Sequence, residues 1–126
     1  ERRIFALALE GGIGYVMTPK DEATLLDGIA PDESAELRNL DVTILHSLIL
    51  EKMLGLTSLD DISYTRSSQE AIRAVDQGAA AAFLMNAPTV DDMRTIALGG
   101  ERMPQKSTYY YPKILSGLVM WSLNDF

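Results

Sequence analysis

Cysteine is absent from the 126 residues, histidine occurs once, and no apolar run approaches the roughly 20 residues that a membrane-spanning helix needs. The lack of cysteine removes disulfides, cysteine-ligated zinc, iron–sulfur clusters and thiol catalysis. A lone histidine, His46, cannot build a histidine-rich metal centre. The acidic pairs Asp60-Asp61 and Asp91-Asp92 stand at expected helix starts, where carboxylates are already favoured by the helix dipole. No metal site is assigned, and no cofactor is indicated. Basic residues are scarce too: 11 Lys and Arg against 18 Asp and Glu give a net charge of −7. The whole excess lies in residues 1–63, with 12 acids against 5 bases, while residues 64–126 hold 6 of each. Such a surface repels phosphodiester backbones and shows no basic stripe, so nucleic acid is not an expected partner. The start Glu1-Arg2-Arg3 is not a signal peptide, and a membrane partner is not expected either. A cytoplasmic protein is the expectation, since a small domain without disulfides sits easily there.

What is present is globular composition, 47% hydrophobic and 23% charged. A chain of this size buries roughly two thirds of the surface its unfolded form exposes, which is enough for a real core. One α+β domain over residues 1–126 is expected, with a mixed sheet of about five strands and three main helices. Ile4 to Leu9 and Ile13 to Met17, separated by Gly11-Gly12, read as a hairpin. The acidic stretch from Pro19 to Pro31 reads as a loop with one helical turn near Ala23 to Leu26. Asp41 to Leu54 predicts the longest helix, with Asp41 as cap and Gly55 just past its end. At 100° per residue its apolar side chains cover most of the circumference and leave a polar wedge of Thr43, Ser47 and Glu51. Such a helix needs cover on more than one side. Ile62 to Thr65 reads as a strand, Ser67 to Gly78 as a helix opened by a capping box, and Ala80 to Met85 as a strand buried on both faces. Thr89 to Gly99 is the third helix, and Ile114 to Leu123 reads as a last strand. His46 falls among Val42, Ile49, Leu50 and Met53 on the helical wheel, so it reads as a core or interface residue, or as a titrating group. Trp121 reads as core.

The candidate site is the segment from Gly99 to Lys113, "GGERMPQKSTYYYPK". Gly100 to Ser107 matches the phosphate-loop pattern G-x-x-x-x-G-K-[ST] except at Gln105, where glycine would let the backbone close on a phosphate. Pro104 also removes an amide donor, and the segment follows a helix instead of a strand. It is therefore not a working phosphate loop. Two readings stay open. Arg102, Lys106 and Lys113 oppose a single acid, Glu101, while Ser107 and Thr108 offer hydroxyl donors, and Tyr109 and Tyr111 offer ring faces; that set suits a phosphate, a nucleotide or another anion. Alternatively, tyrosines entering a strand with lysines beside them are packing and solvated ends.

The run Met103-Pro104-Gln105-Lys106-Ser107-Thr108-Tyr109-Tyr110-Tyr111-Pro112-Lys113, followed by Ser116-Gly117-Leu118, resembles the C-terminal part of the domain of unknown function 1015 family, whose pattern there is M-P-x-K-S-T-Y-F-Y-P-K. Tyr110 stands where that pattern has phenylalanine. Leu40-Asp41-Val42 with Leu45-His46, and Ala82-Phe83-Leu84 ahead of Gly100-Glu101, fit in order over residues 37 to 119. The resemblance implies a longer parent, with an upstream D-G-H-H-R-type motif similar to the phosphate-handling signature of ParB and sulfiredoxin-like proteins; this chain has no such motif. It would then be a C-terminal module, in keeping with its start on Glu1, with the N-terminal part of the same protein, or a second copy, as partner. The family has no established activity. The functional expectation is a module whose Gly100–Lys113 loop contributes to an anion site completed by the N-terminal part; the alternative is a structural or dimerisation module with no ligand. No base–nucleophile pairing is recognisable, so catalysis by this chain alone is not assigned.

Overall fold

Apolar residues around a glycine pair give the hairpin its form. The computed structural model describes residues 3–109 and Tyr111, and in it β1 (Phe5–Leu9) and β2 (Ile13–Met17) are joined by a 3-10 turn at Glu10–Gly12. Gly11 and Gly12 take φ of 78° and 74° there, a conformation that glycine enters without steric cost. β1 is central. It pairs antiparallel with β2, from Phe5↔Met17 to Leu9↔Ile13, and antiparallel with β3 (Ala82–Leu84) through Ala6↔Leu84, Leu7↔Phe83 and Ala8↔Ala82.

The sheet corrects the expectation of a mixed sheet of about five strands. Among the described residues it has three strands, in the order β2-β1-β3, and both pairings are antiparallel. Ile62 to Thr65 forms no strand. Its alternate side chains are consumed locally: Ile62 packs against the central core cluster and Tyr64 stacks on His46. β3 is shorter than the apolar run that contains it, and among the described residues it pairs with β1 alone. The expected strand at Ile114 to Leu123, Trp121, Tyr110 and Lys113 lie outside the described residues.

Two short helices, α1 (Glu22–Leu25) and α2 (Ala35–Arg38), precede the long one. Ser34 caps α2 by accepting from the Leu37 N–H at 3.1 Å. The long helix begins as α3 (Asp41–Ile44) and continues in π-helical winding from Leu45 to Met53, with Gly55 in the left-handed region after it. Asp41 is not the cap, as its short carboxylate had suggested. Leu40 holds that position, Asp41 is the first helical residue, and its carboxylate accepts from Arg3 Nε at 2.7 Å. The same guanidinium donates to the carbonyl and side chain of Asn39 at 2.7 and 2.9 Å, so Arg3 is a clamp on the helix start. The π winding also changes the wheel. Leu45 and Leu50, five residues apart, both enter the core cluster of Phe5, Ile29 and Ile44, which i→i+5 winding brings to one side of the helix. The end of the helix is exposed, with Met53 at 70%.

α4 (Ser68–Asp76) and α5 (Val90–Leu98) follow the expected signals closely. Ser67 accepts from the Glu70 N–H, but the Glu70 carboxylate turns to the Thr65 hydroxyl at 2.6 Å, so only half of a capping box forms. At Thr89 and Asp92 both halves form. α4 packs along β3 and β1 and buries Val75. A second cluster joins Leu37, Leu40, Val42 and Ile96, with Met103 against it. The α+β class stands, and none of the described helices is long and apolar enough to cross a membrane.

Candidate functional site

Thr43, His46 and Ser47 stand three and four residues apart, so they share one face of the long helix near its change from α to π winding. That face is one wall of a cavity of about 290 Å3, completed by Glu33 and Val42, by Tyr64 from the irregular segment after the helix, and by Pro104 and Gln105 from the candidate loop. The volume is at the small end of ligand pockets. The His46 and Tyr64 rings stack, 5.9 Å between centroids and 5° between planes, and the Tyr64 hydroxyl lies 3.4 Å from His46 Nε2. Thr43 is buried at 6%, and among the described residues no group hydrogen-bonds its Oγ1.

Among the described residues three groups have resolved departures from their ordinary pKa, and all three line this cavity. Burial holds the His46 imidazole below its usual 6.5 and pushes the Tyr64 phenol up. Partial burial, and then the nearby Glu101 carboxylate, raise Glu33. Each shift favours the neutral form, so the wall resists carrying charge. Perturbed groups gathered in one concave place mark a functional candidate on physical grounds.

The linkage for His46 gives a first expected result. In the unfolded chain the imidazole titrates near 6.5, and in the folded chain only at lower pH. Below pH 6.5 the unfolded state therefore takes up a proton that the native state refuses, and stability falls with pH until the folded imidazole protonates as well. His46→Gln removes this loss. Melting temperatures of the two chains should run parallel above pH 7 and diverge below 6.5, the native one dropping further. Glu33 has the opposite sign, gaining stability as acid protonates it, and its share cancels between the two chains.

The residues expected to bind an anion stand elsewhere. Arg102, Lys106, Thr108, Tyr109 and Tyr111 are exposed, Tyr111 at 86%, and none lines this cavity or the one beside Arg3, Asn39 and Asp92. Ser107 is half-buried, and its hydroxyl donates to the Pro104 carbonyl at 2.6 Å, so its proton is spent on closing the turn. Tyr109 lies under the Arg66 guanidinium, 4.3 Å from ring centroid to cation, a contact that ties the loop to the segment bearing Tyr64. Glu101 accepts from the Ser34 N–H at 3.2 Å. The loop is thus anchored by Met103, Glu101 and Tyr109, and it presents Pro104 and Gln105 to the cavity. His46 and Tyr64 had no loop signal to mark them; their pairing across 18 residues is a tertiary fact. No cluster of metal-ligating side chains occurs among the described residues.

Lys106 takes φ of 61°, a left-handed conformation that costs a non-glycine residue about 1–2 kcal/mol. Lys106→Gly relieves it, while the freer unfolded chain takes part of the gain back. The net expectation is a rise in stability of up to about 1 kcal/mol, read by denaturant unfolding.

No protein-family model, no curated protein and no solved structure matches this chain.

Proposed function

We propose that the chain is a binding module for a small, uncharged polar molecule with a flat face, seated in the cavity walled by Thr43, His46, Ser47, Tyr64 and Gln105. The observation that carries this reading is the convergence of the stacked His46–Tyr64 pair with two hydroxyls and an amide from three separate segments on one small concavity. Among the described residues no Lys or Arg lines the cavity, and Glu33 does, with Glu101 close behind it; an anion would meet repulsion from these acids. The resemblance of Met103 to Lys113 to the domain of unknown function 1015 family supports placing the module at the C-terminal end of a longer cytoplasmic protein, whose remaining part would complete the site. In this reading the Gly100–Lys113 loop still contributes, through Pro104 and Gln105.

A thermal-shift panel tests it, with nucleosides, sugars and uncharged amino-acid amides on one side and inorganic phosphate and nucleotides on the other. A stabilising shift from an uncharged compound, lost in His46→Ala and in Gln105→Ala, is the expected result. A shift from phosphate that depends on Lys106 alone would return the function to the exposed cations and overturn the proposal. Silence across both sets would leave a structural module.

A further inference from the structure

Asp27 is followed by Gly28, and no other Asp or Asn of the chain precedes a glycine. Glycine matters at that place because it has no β-carbon, so its own side chain does not shield its amide nitrogen from the carboxyl of the residue before it. The pair lies in the turn after α1, with both residues exposed and Gly28 at φ of 71°. The amides on either side are in use: the Asp27 N–H donates to the Thr24 carbonyl at 3.1 Å, and the Ile29 N–H donates to the Leu26 carbonyl at 3.3 Å. Between them, the Gly28 N–H makes no hydrogen bond among the described residues, and the Asp27 carboxylate makes none either. Directly beyond stands Ile29, buried at 1%, and then Ala30, whose φ of 39° is left-handed for a residue with a β-carbon. An open Asp-Gly link thus stands one residue from an anchor of the core.

We infer that Asp27 is a site of spontaneous backbone rearrangement, in which the Gly28 nitrogen attacks Cγ of Asp27 and the chain is rerouted through that side chain as isoaspartate. In the first step the Gly28 nitrogen gives up its proton and bonds to Cγ, and the hydroxyl of the protonated carboxyl leaves with that proton as water. A succinimide ring results. In the second step water adds to one of the two imide carbonyls. Opening at Cγ returns aspartate; opening at the main-chain carbonyl carbon leaves Gly28 joined through Cγ, with Cβ in the main chain and the former main-chain carbonyl as a free carboxylate. Water is the only co-reactant, and nothing is oxidised or reduced.

The rearranged link keeps its charge and mass, so its effect is geometric. It is longer by one methylene, inserted between two fixed points: the turn bonds to the Thr24 and Leu26 carbonyls on one side, and the cluster of Phe5, Ile44, Leu45 and Leu50 that holds Ile29 on the other. An added main-chain carbon displaces one against the other. The cost falls on the Leu26–Ile29 bond or on the packing of Ile29, and a poorly seated isoleucine loses part of what its burial contributes.

Incubation of the intact, folded chain near neutral pH and body temperature tests the inference. Isoaspartate is located afterwards by peptide mass spectrometry with electron-transfer fragmentation, and its total is counted by methyl transfer from an isoaspartate-specific carboxyl methyltransferase. It should accumulate at residue 27 ahead of every other aspartate, and an imide lighter by one water should be trapped at mildly acidic pH. Asp27→Asn should speed the reaction, because the neutral amide is attacked more readily than a carboxylate and loses ammonia. Asp27→Glu should abolish it, since the longer side chain closes the ring poorly. The side chain is exposed, so both variants keep the fold, which circular dichroism checks. Separated by chromatography, the isoaspartyl form should melt a few degrees below the aspartyl form, in the same direction as a truncation of Ile29. A folded chain that stays free of isoaspartate at residue 27, while a peptide of residues 24–32 converts, overturns the inference, because the turn then holds the nitrogen away from Cγ. Equal melting temperatures for the two forms would overturn the coupling to the core.

Discussion

Replacing Ile29 by alanine is expected to lower the free energy of unfolding by about 3 kcal/mol, within the range of about 2–5 for removing a buried isoleucine side chain. Ile29 lies at 1% exposure in the cluster with Phe5, Ile44, Leu45 and Leu50, so its loss opens a cavity where sheet, loop and long helix meet. In a domain of this size, 3 kcal/mol lowers the melting temperature by roughly 10 °C or more. Denaturant unfolding of Ile29→Ala beside Ile29→Val separates the two contributions, since the valine keeps most of the volume and should cost about 1 kcal/mol. If Ile29→Ala cost no more than a surface substitution, the loop would not be part of the core, and the central cluster would lose its outer wall.

The size of that effect shows where sequence reading stops. Pro19 to Pro31 has the composition of a loop, and it is one for most of its length, with α1 where a helical turn is expected. Composition cannot say that a loop is pinned. Ile29 is an isolated apolar residue between Gly28 and Ala30, with no periodicity to mark its side as inward. Local signals did better: Gly11-Gly12 makes the hairpin turn, Thr89 with Asp92 makes a full capping box, and Gly55 follows the long helix. These devices act within four residues, so the information is in adjacent positions. The failures are non-local. Ile62 to Thr65 alternates as a strand would, yet a strand needs an edge to join, and Tyr64 is used by His46 instead. Asp41 has a capping side chain, but Arg3, 38 residues away, claims it. The π winding of Leu45 to Met53 brings Leu45 and Leu50 into the same core cluster, a tertiary arrangement that the sequence pattern does not mark.

The candidate site was legible in the same partial way. The loop at Gly100 stood out because it almost matches a phosphate loop, and Pro104 and Gln105 are where it departs from one. Those two residues are the ones that face the cavity. A substitution that spoils one kind of site is information about another: an amide in place of glycine, with a proline ring before it, fills space that a phosphate would need and offers a neutral surface in its place. The wedge of Thr43 and Ser47 was visible on the wheel as the polar side of an apolar helix. What that wedge faces was not visible, because Tyr64 arrives from a segment whose path only the folded chain defines.

Thr43→Val is expected to stabilise the free protein, by about 1–3 kcal/mol, while removing one polar contact from the proposed site. A buried hydroxyl with no hydrogen-bond partner carries its desolvation cost uncompensated, and an apolar group of the same shape does not. Thr43 meets both conditions: it is 6% exposed, and its Oγ1 has no partner among the described residues. The helix accepts valine, since threonine and valine are both branched at Cβ and differ little in propensity. Such an arrangement persists in a functional wall because residues that bind are chosen for the complex, and the free protein bears the cost. Unfolding in denaturant gives the sign directly. A gain in the midpoint without a change in slope locates the effect in native-state stability. A loss of about 1 kcal/mol or more would mean that the hydroxyl is satisfied in solution, by a water held in the cavity, and that Thr43 belongs to the hydrated floor of the site. The two outcomes also differ in what a ligand gains: in the first it relieves an unpaired donor, and in the second it must displace a bound water and match its hydrogen bonds.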